Sequence, residues 1–364
     1  MINRERISQV REAKRWTQAD LAKKVGRSQS AIAQLENGLI DGSDGLISRI
    51  SSESGFPIEF FESETGPAFP FGSLLFRAHA SMNSKDRLEA HGQAHFVFQL
   101  MTMLLKQVHP IPINLPRPVD TPEVGARVAR RFFHLGSTEP VGNLLNLLEQ
   151  NGVLVLAIPD LKGRDAFSLW AGSNRMIPTV AIAAGRPGDR LRLTVAHELG
   201  HLIMHGQKEV LSPLVEDEAN KFAAEFLMPE QAMRKDLTPP LTLTRFASLK
   251  PKWRVSIQAL IVRAKNLEII SDRQYRYLYE QLAIQGWRVN EPENLAVETE
   301  RPRSLRQLAE MSYGHPIDFK ALAKAAALPE SLVRQIISQY RDKRSGEPDE
   351  AKLSRKVVSM RRKA

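Results

Sequence analysis

No stretch constrains this chain more than Thr194-Val195-Ala196-His197-Glu198-Leu199-Gly200-His201. Its apolar neighbours Leu193, Val195, Leu199, Leu202 and Ile203 recur at helical spacing, so the segment reads as one amphipathic helix over about 189–205. On that helix His197 and His201 lie four residues apart and share a face. Two neutral imidazoles at that spacing can hold one Zn²⁺. Glu198, beside the first histidine, is placed to take a proton from a water at the metal rather than to coordinate it. A fold that uses this motif must bring a third donor from elsewhere in the chain and leave one coordination position open.

The next helical pattern, 214–228, stops at Pro229 and supplies that donor. Ala219, Phe222, Ala223, Phe226 and Leu227 form its core face, with small residues that allow close helix approach. Glu216 and Asn220 are four apart and so share one side of the helix. Glu218 points about 200° round the helix from Glu216, so one helix cannot aim both at the same ion. Glu216 is the expected ligand and Glu218 the alternative. A third histidine at 207 with glycine at 204 would offer another route, but the chain has Met204 and Gln207. His205 lies one turn beyond His201 and is expected to be exposed or to sit behind the ligands.

The first sixty residues form a separate pattern. Thr17 and Asp20 make an approximate capping box for a short helix, Val25-Gly26-Arg27 is a tight turn, and Ser28 caps a second helix that ends at Asn37-Gly38. Leu21, Ala22, Val25, Ile32 and Leu35 fall at core spacing. Two short helices across a glycine turn make a helix-turn-helix. The second helix then exposes amide and hydroxyl groups suited to base edges in a major groove. The candidate contacts to double-stranded DNA are Gln18, Arg27, Ser28, Gln29, Ser30 and Gln34. Residues 4–27 carry eight Lys/Arg against three Asp/Glu, which favours phosphate contact. The whole chain has 51 Lys+Arg and 41 Asp+Glu, a net charge of +10 that invites a polyanion.

There is no cysteine, which excludes disulfides, cysteine-based zinc fingers and thiol nucleophiles, and fits a reducing compartment. No apolar run is long enough to span a membrane, and Met1–Glu5 is not followed by the apolar run of a secretory leader. A cytoplasmic protein without a membrane partner is expected. Residues 1–61 form one block with its own core residues, 62–66 a polar connector, 67–290 a mixed block, 304–341 a helical region and 342–364 a basic, loose tail. In the mixed block, 153–158 and 179–183 read as strands. The second is either an edge strand able to pair with an extended peptide or an internal one.

Thr17-Gln18-x-x-Leu21-Ala22, then Ser28-x-x-x-Ile32-x-x-Leu35-Glu36-x-Gly38, resembles the Cro/cI-type (XRE) helix-turn-helix. Glu216-x-x-x-Asn220 is similar to the third-ligand pattern of gluzincin-like peptidases. With Ala196–Leu202, Glu216–Pro229 and the weaker stretch Lys252–Leu260, it resembles the ImmA/IrrE metallopeptidases. That resemblance implies an all-α helix-turn-helix domain followed by an α+β zincin-like domain and a helical C-terminal region. It implies a Zn²⁺ endopeptidase, another divalent ion such as Mn²⁺ being compatible, with His197, His201 and Glu216 as ligands, Glu198 as base and Asn220 behind a ligand. Its implied protein substrate is a transcriptional repressor or antitoxin-like partner, and it leaves room for a homodimer. The group stabilising the oxyanion stays open among His205, Tyr275, Tyr277 and an arginine. A transcriptional regulator whose metal domain senses or dimerises without turnover is the alternative; Glu198 weighs against it, because a structural site needs no base.

Overall fold

The computed structural model describes residues 2–63, 84–109, 111–116, 121–159, 165–171, 177–206, 212–340 and 361–362. Most of the expected connector at 62–66 and of the basic tail at 342–364 lies outside the described residues. Among the described residues no helix is long and apolar enough to cross a membrane.

The N-terminal unit contains α1 (Arg4–Ala13), α2 (Gln18–Val25), α3 (Gln29–Glu36), α4 (Asp44–Ser54) and α5 (Ile58–Glu62). Thr17 and Asp20 close a full capping box on α2. Gly26 takes φ 64° at the end of α2, the left-handed turn for which glycine is suited. Ser28 Oγ accepts from the Ala31 N–H at 3.2 Å and so caps α3. Leu21, Ala22, Val25, Ile32 and Leu35 are buried with Ile7, Val10, Ile47 and Ile50.

This core does not close on itself. Helix α6 (Ser84–Leu105) lays Phe96 against Phe56 and Phe60, with ring centroids at 5.2 and 5.9 Å. Gly92 meets Ala13 so closely that a Cβ there would lie 2.9 Å from the alanine methyl. The buried Arg6 donates to Gln99 Oε1 at 2.7 Å, and Gln99 Nε2 donates in turn to the Ala326 carbonyl at 2.8 Å. The block at 1–61 thus has its own buried core, and its aromatic face packs on α6.

The second unit holds a three-stranded sheet. After the two-residue β1 (Val108–His109), α7 (Pro122–Phe132) and α8 (Leu144–Gln150) come β2 (Leu154–Ile158), β3 (Ala166–Ala171) and β4 (Ile177–Ala183). Their order is β2-β4-β3, with β2 parallel and β3 antiparallel to β4. Thus 179–183 is internal, and β2 and β3 are the edge strands among the described residues. Every residue of β2 is buried, as a strand covered on both faces requires.

From β4 the chain turns at Gly185 into α9 (Gly188–Gly200), which packs along α10 (Pro213–Leu227). Gly200 sets that approach, because a Cβ there would lie 3.1 Å from the Phe222 ring. Helices α11 (Glu230–Asp236), α12 (Leu243–Trp253), α13 (Ile257–Asn266) and α14 (Asp272–Ile284) extend the domain. Residues 291–303 cross back over the start of α9. There Lys250 Nζ holds Asp189 and Glu291 at 2.6 Å each, and Arg192 pairs with Glu300 in the interior. Helices α15 (Ser304–Tyr313), α16 (Phe319–Ala326) and α17 (Glu330–Ser338) follow. Tyr340 anchors them to the sheet: its buried hydroxyl accepts from the Ala157 N–H at 2.9 Å. A short β5 (Arg361–Arg362) pairs with β1.

Candidate metal centre

Helix α9 is held from beneath by Leu191, Val195, Ala196 and Leu199, all buried. That packing leaves His197 and His201 on one face, half-buried, with their Nε2 atoms 3.0 Å apart. Glu216, in the first turn of α10, reaches the same point. Its Oε2 is 3.4 Å from His197 Nε2 and its Oε1 3.7 Å from His201 Nε2. Tetrahedral bonds of 2.0–2.1 Å place ligand atoms about 3.3 Å from one another, and the three separations bracket that distance. The donor set thus fits a zinc ion in size and type.

The other ring nitrogens are engaged. His197 Nδ1 lies 2.9 Å from Asn220 Oδ1. An amide oxygen can only accept, so this bond assigns the proton to Nδ1 and leaves the Nε2 lone pair directed at Glu216. His201 Nδ1 lies 3.0 Å from His205 Nδ1, and His205 Nε2 lies 3.0 Å from Glu218 Oε2. The same logic runs along this chain. Glu218 accepts from His205 Nε2–H, His205 Nδ1 accepts from His201 Nδ1–H, and His201 Nε2 keeps its lone pair. The helix widens into a π turn at His201–His205, which keeps the two rings side by side at 5.1 Å. Glu218, the alternative ligand by sequence, sits on His205, two residues and a different helix face away from Glu216.

Glu198 is only 6% exposed. Ser168 Oγ on edge strand β3 donates to Glu198 Oε2 at 2.6 Å. Sequence reasoning missed Ser168. The run Ala166-Phe167-Ser168-Leu169-Trp170-Ala171 carries a strand signal, but nothing local ties it to a helix thirty residues on. Trp170 Nε1 donates to the Gly206 carbonyl at 3.0 Å and closes the end of the π turn against the same strand. Of the two tyrosines considered for an oxyanion, Tyr275 packs against Tyr279 with tilted rings, centroids 4.6 Å apart, and Tyr277 is exposed on α14. A cleft of about 870 Å³ opens behind α10, between Asn220, Leu193 and Lys221 on one side and Gln258 and Arg263 on the other.

In the N-terminal unit Arg27, Ser28, Gln29, Ser30 and Gln34 are all exposed. Gln18 is half-buried, and its Nε2 donates to Glu36 Oε2 at 2.8 Å, beside the Arg11–Glu36 ion pair at 2.7 Å. Its amide therefore helps lock α2 against α3.

Residues 148–265 match the family model Peptidase_M78, described as the IrrE N-terminal-like domain. Residues 7–57 match the model of a helix-turn-helix, HTH_3. No curated protein matches the chain. The chain thus joins a DNA-binding type of domain to a metallopeptidase-family domain, in the order read from the sequence.

Proposed function

We propose that this chain, an IrrE N-terminal-like peptidase domain behind a helix-turn-helix, is a cytoplasmic zinc endopeptidase that regulates transcription by cutting a repressor or antitoxin-like partner. The observation that carries the reading is the convergence of His197, His201 and Glu216 on one point, with the buried carboxylate of Glu198 on the same helix. A site that only held metal for structure would use four protein ligands and no base. Zinc, when bound, supplies Lewis acidity and makes water acidic enough to be deprotonated near neutral pH.

The rest falls to the protein's own groups. His197, His201 and Glu216 would hold the ion, and Asn220 and His205 fix the two imidazole tautomers. Glu198 takes the proton from the attacking water and returns it to the leaving amine nitrogen. Ser168 orients that carboxylate through its 2.6 Å bond. Strand β3, which carries Ser168, is one of the two outer strands of the sheet among the described residues. An extended substrate can add to its open edge by main-chain hydrogen bonds, which would bring a scissile peptide past Glu198. The helix-turn-helix would keep the peptidase at the promoter where its substrate sits.

Glu198→Gln tests the reading. Glutamine keeps size and helix compatibility but cannot act as a base. Zinc content and duplex affinity should stay at wild-type values, while cleavage of co-encoded repressors falls by about 10²–10⁴-fold. Wild-type derepression in cells by this variant, with loss on His197→Ala, would show that metal is needed and turnover is not, and would favour the sensor.

A further inference from the structure

The region 304–340, to which no sequence motif or family match assigns a role, repeats the N-terminal helix-turn-helix. Helix α16 begins at Phe319, 301 positions after Gln18 opens α2, and α17 begins at Glu330, 301 positions after Gln29 opens α3. The hydrogen bonds repeat at the same spacing. Leu21 N–H donates to Thr17 O at 3.0 Å, and Leu322 N–H to Asp318 O at 3.0 Å. Arg27 N–H donates to Ala22 O at 2.9 Å, and Leu328 N–H to Ala323 O at 3.0 Å. Ile32 N–H donates to Ser28 O at 3.3 Å, and Val333 N–H to Pro329 O at 3.1 Å.

The caps and the turn agree as well. Thr17 Oγ1 accepts from Asp20 N–H at 3.1 Å, and Asp318 Oδ1 from Ala321 N–H at 3.0 Å. Gly26 turns left-handed at φ 64°, and Ala327, its counterpart, does so at φ 51°. A left-handed alanine is unfavourable by itself, so the turn there is imposed by packing. Leu21, Ala22, Val25, Ile32 and Leu35 have their equivalents in Leu322, Ala323, Ala326, Val333 and Ile336, every one buried.

The outward face is kept in part, with Glu330 standing where the first unit has Gln29 and Leu328 where it has Arg27. Ser30 and Gln34 correspond to Ser331 and Gln335, the same residue types at the same exposed positions. Ala33 corresponds to Arg334, exposed, braced over the Phe319 ring at 4.2 Å and against Glu330 at 2.7 Å. Lys320 and Lys324 are exposed on the preceding helix. The sequence that follows, 341–364, holds nine Lys/Arg against four Asp/Glu. A similar corner occurs at Arg254, φ 55°, between α12 and α13, but there the second helix lines the cleft beside α10. Helix α17 instead leaves this face open, although Pro329 cannot supply the side-chain cap that Ser28 gives α3.

We infer that residues 304–340 are a second duplex-DNA-reading unit, with Ser331, Arg334 and Gln335 facing base edges and Lys320 and Lys324 facing phosphates. One chain then grips DNA at two places, and each contact raises the effective concentration of the other.

The test uses the full chain and a pool of randomised duplexes. The wild type should select two distinct sequence motifs. Arg334→Ala with Gln335→Ala should lose one motif and bind the two-motif duplex at least about fivefold more weakly at fixed salt, since a good base contact contributes that much or more. Gln29→Ala with Gln34→Ala should lose the other motif. Lys320→Gln with Lys324→Gln should lower the slope of log affinity against log salt by about 2, with circular dichroism unchanged. Selection of a single motif by the wild type overturns the inference. So does a Lys320/Lys324 variant whose salt slope equals the wild type's, the result expected if α17 instead meets a protein.

Discussion

Replacing Glu300 by alanine should be among the most damaging single changes in the metallopeptidase-family domain, although it lies far along the sequence from the metal residues. Arg192 is 1% exposed on α9, five residues before His197. Its guanidinium donates to the carbonyls of Gly142 at 2.6 Å and Val141 at 2.7 Å and pairs with Glu300 Oε1. Glu300 Oε2 also accepts from the Leu145 N–H at 3.0 Å, at the start of α8. Burial pulls the Arg192 pKa down, and the Glu300 carboxylate opposes that shift. Alanine would leave a buried cation with two carbonyls and no counter-charge. Breaking a buried pair on one side costs about 3–5 kcal/mol, and the two remaining carbonyls put this case near the lower end, about 3 kcal/mol. The orphaned Leu145 N–H adds about 1 kcal/mol. For a unit of this size, a total of about 4 kcal/mol lowers Tm by about 8–16 °C. Glu300→Gln keeps one acceptor, turns an amide N–H towards the other donor and removes the charge, so it should recover only a small part of the loss. Arg192→Met with Glu300→Leu removes both charges and should recover most of the loss. Urea unfolding followed by circular dichroism measures all three. A Glu300→Ala cost below about 1 kcal/mol, or a double variant no better than the single, would refute the reasoning.

Glu216→Ala should strip zinc from the purified chain, measured by elemental analysis, whereas Glu218→Gln should keep it and weaken it by about 10–100-fold in chelator competition, because Glu218 acts only through His205 and His201. The reverse pattern would make Glu218 the ligand. Ala327→Gly should stabilise the chain by about 0.5–1 kcal/mol in the same urea assay, since glycine accepts φ 51° without the Cβ clash; a lower midpoint would count against a left-handed turn there.

Much of the candidate site is local and was legible. His197, Glu198 and His201 belong to one helix, so their relation follows from 3.6 residues per turn; the 200° between Glu216 and Glu218 allows only one of them at the ion, and the resemblance of Glu216-x-x-x-Asn220 to the gluzincin-like pattern chose Glu216. The helix-turn-helix was legible for the same reason: Thr17, Gly26 and Ser28 each act within a few residues of themselves. Ser168 was not legible. It reaches Glu198 only because β3 pairs with β4 and α9 returns beneath that pair. The edge position of β3 was hidden likewise, because strand order depends on which partner closes the sheet and leaves no trace in either strand's own pattern.

By itself the sequence determined the helices, their caps, the histidine face and the absence of thiol chemistry, because each depends on contacts a turn or two long. Only the tertiary structure decided that Glu218 supports His205, that the strap at 291–303 neutralises Arg192, and that α6 completes the N-terminal core. It also decided that 318–333 repeats the backbone hydrogen bonds of 17–32. In these cases the partner lies from 13 to more than a hundred residues away. Contacts at that range are chosen by burial and charge pairing in the assembled core, and local periodicity carries no information about them.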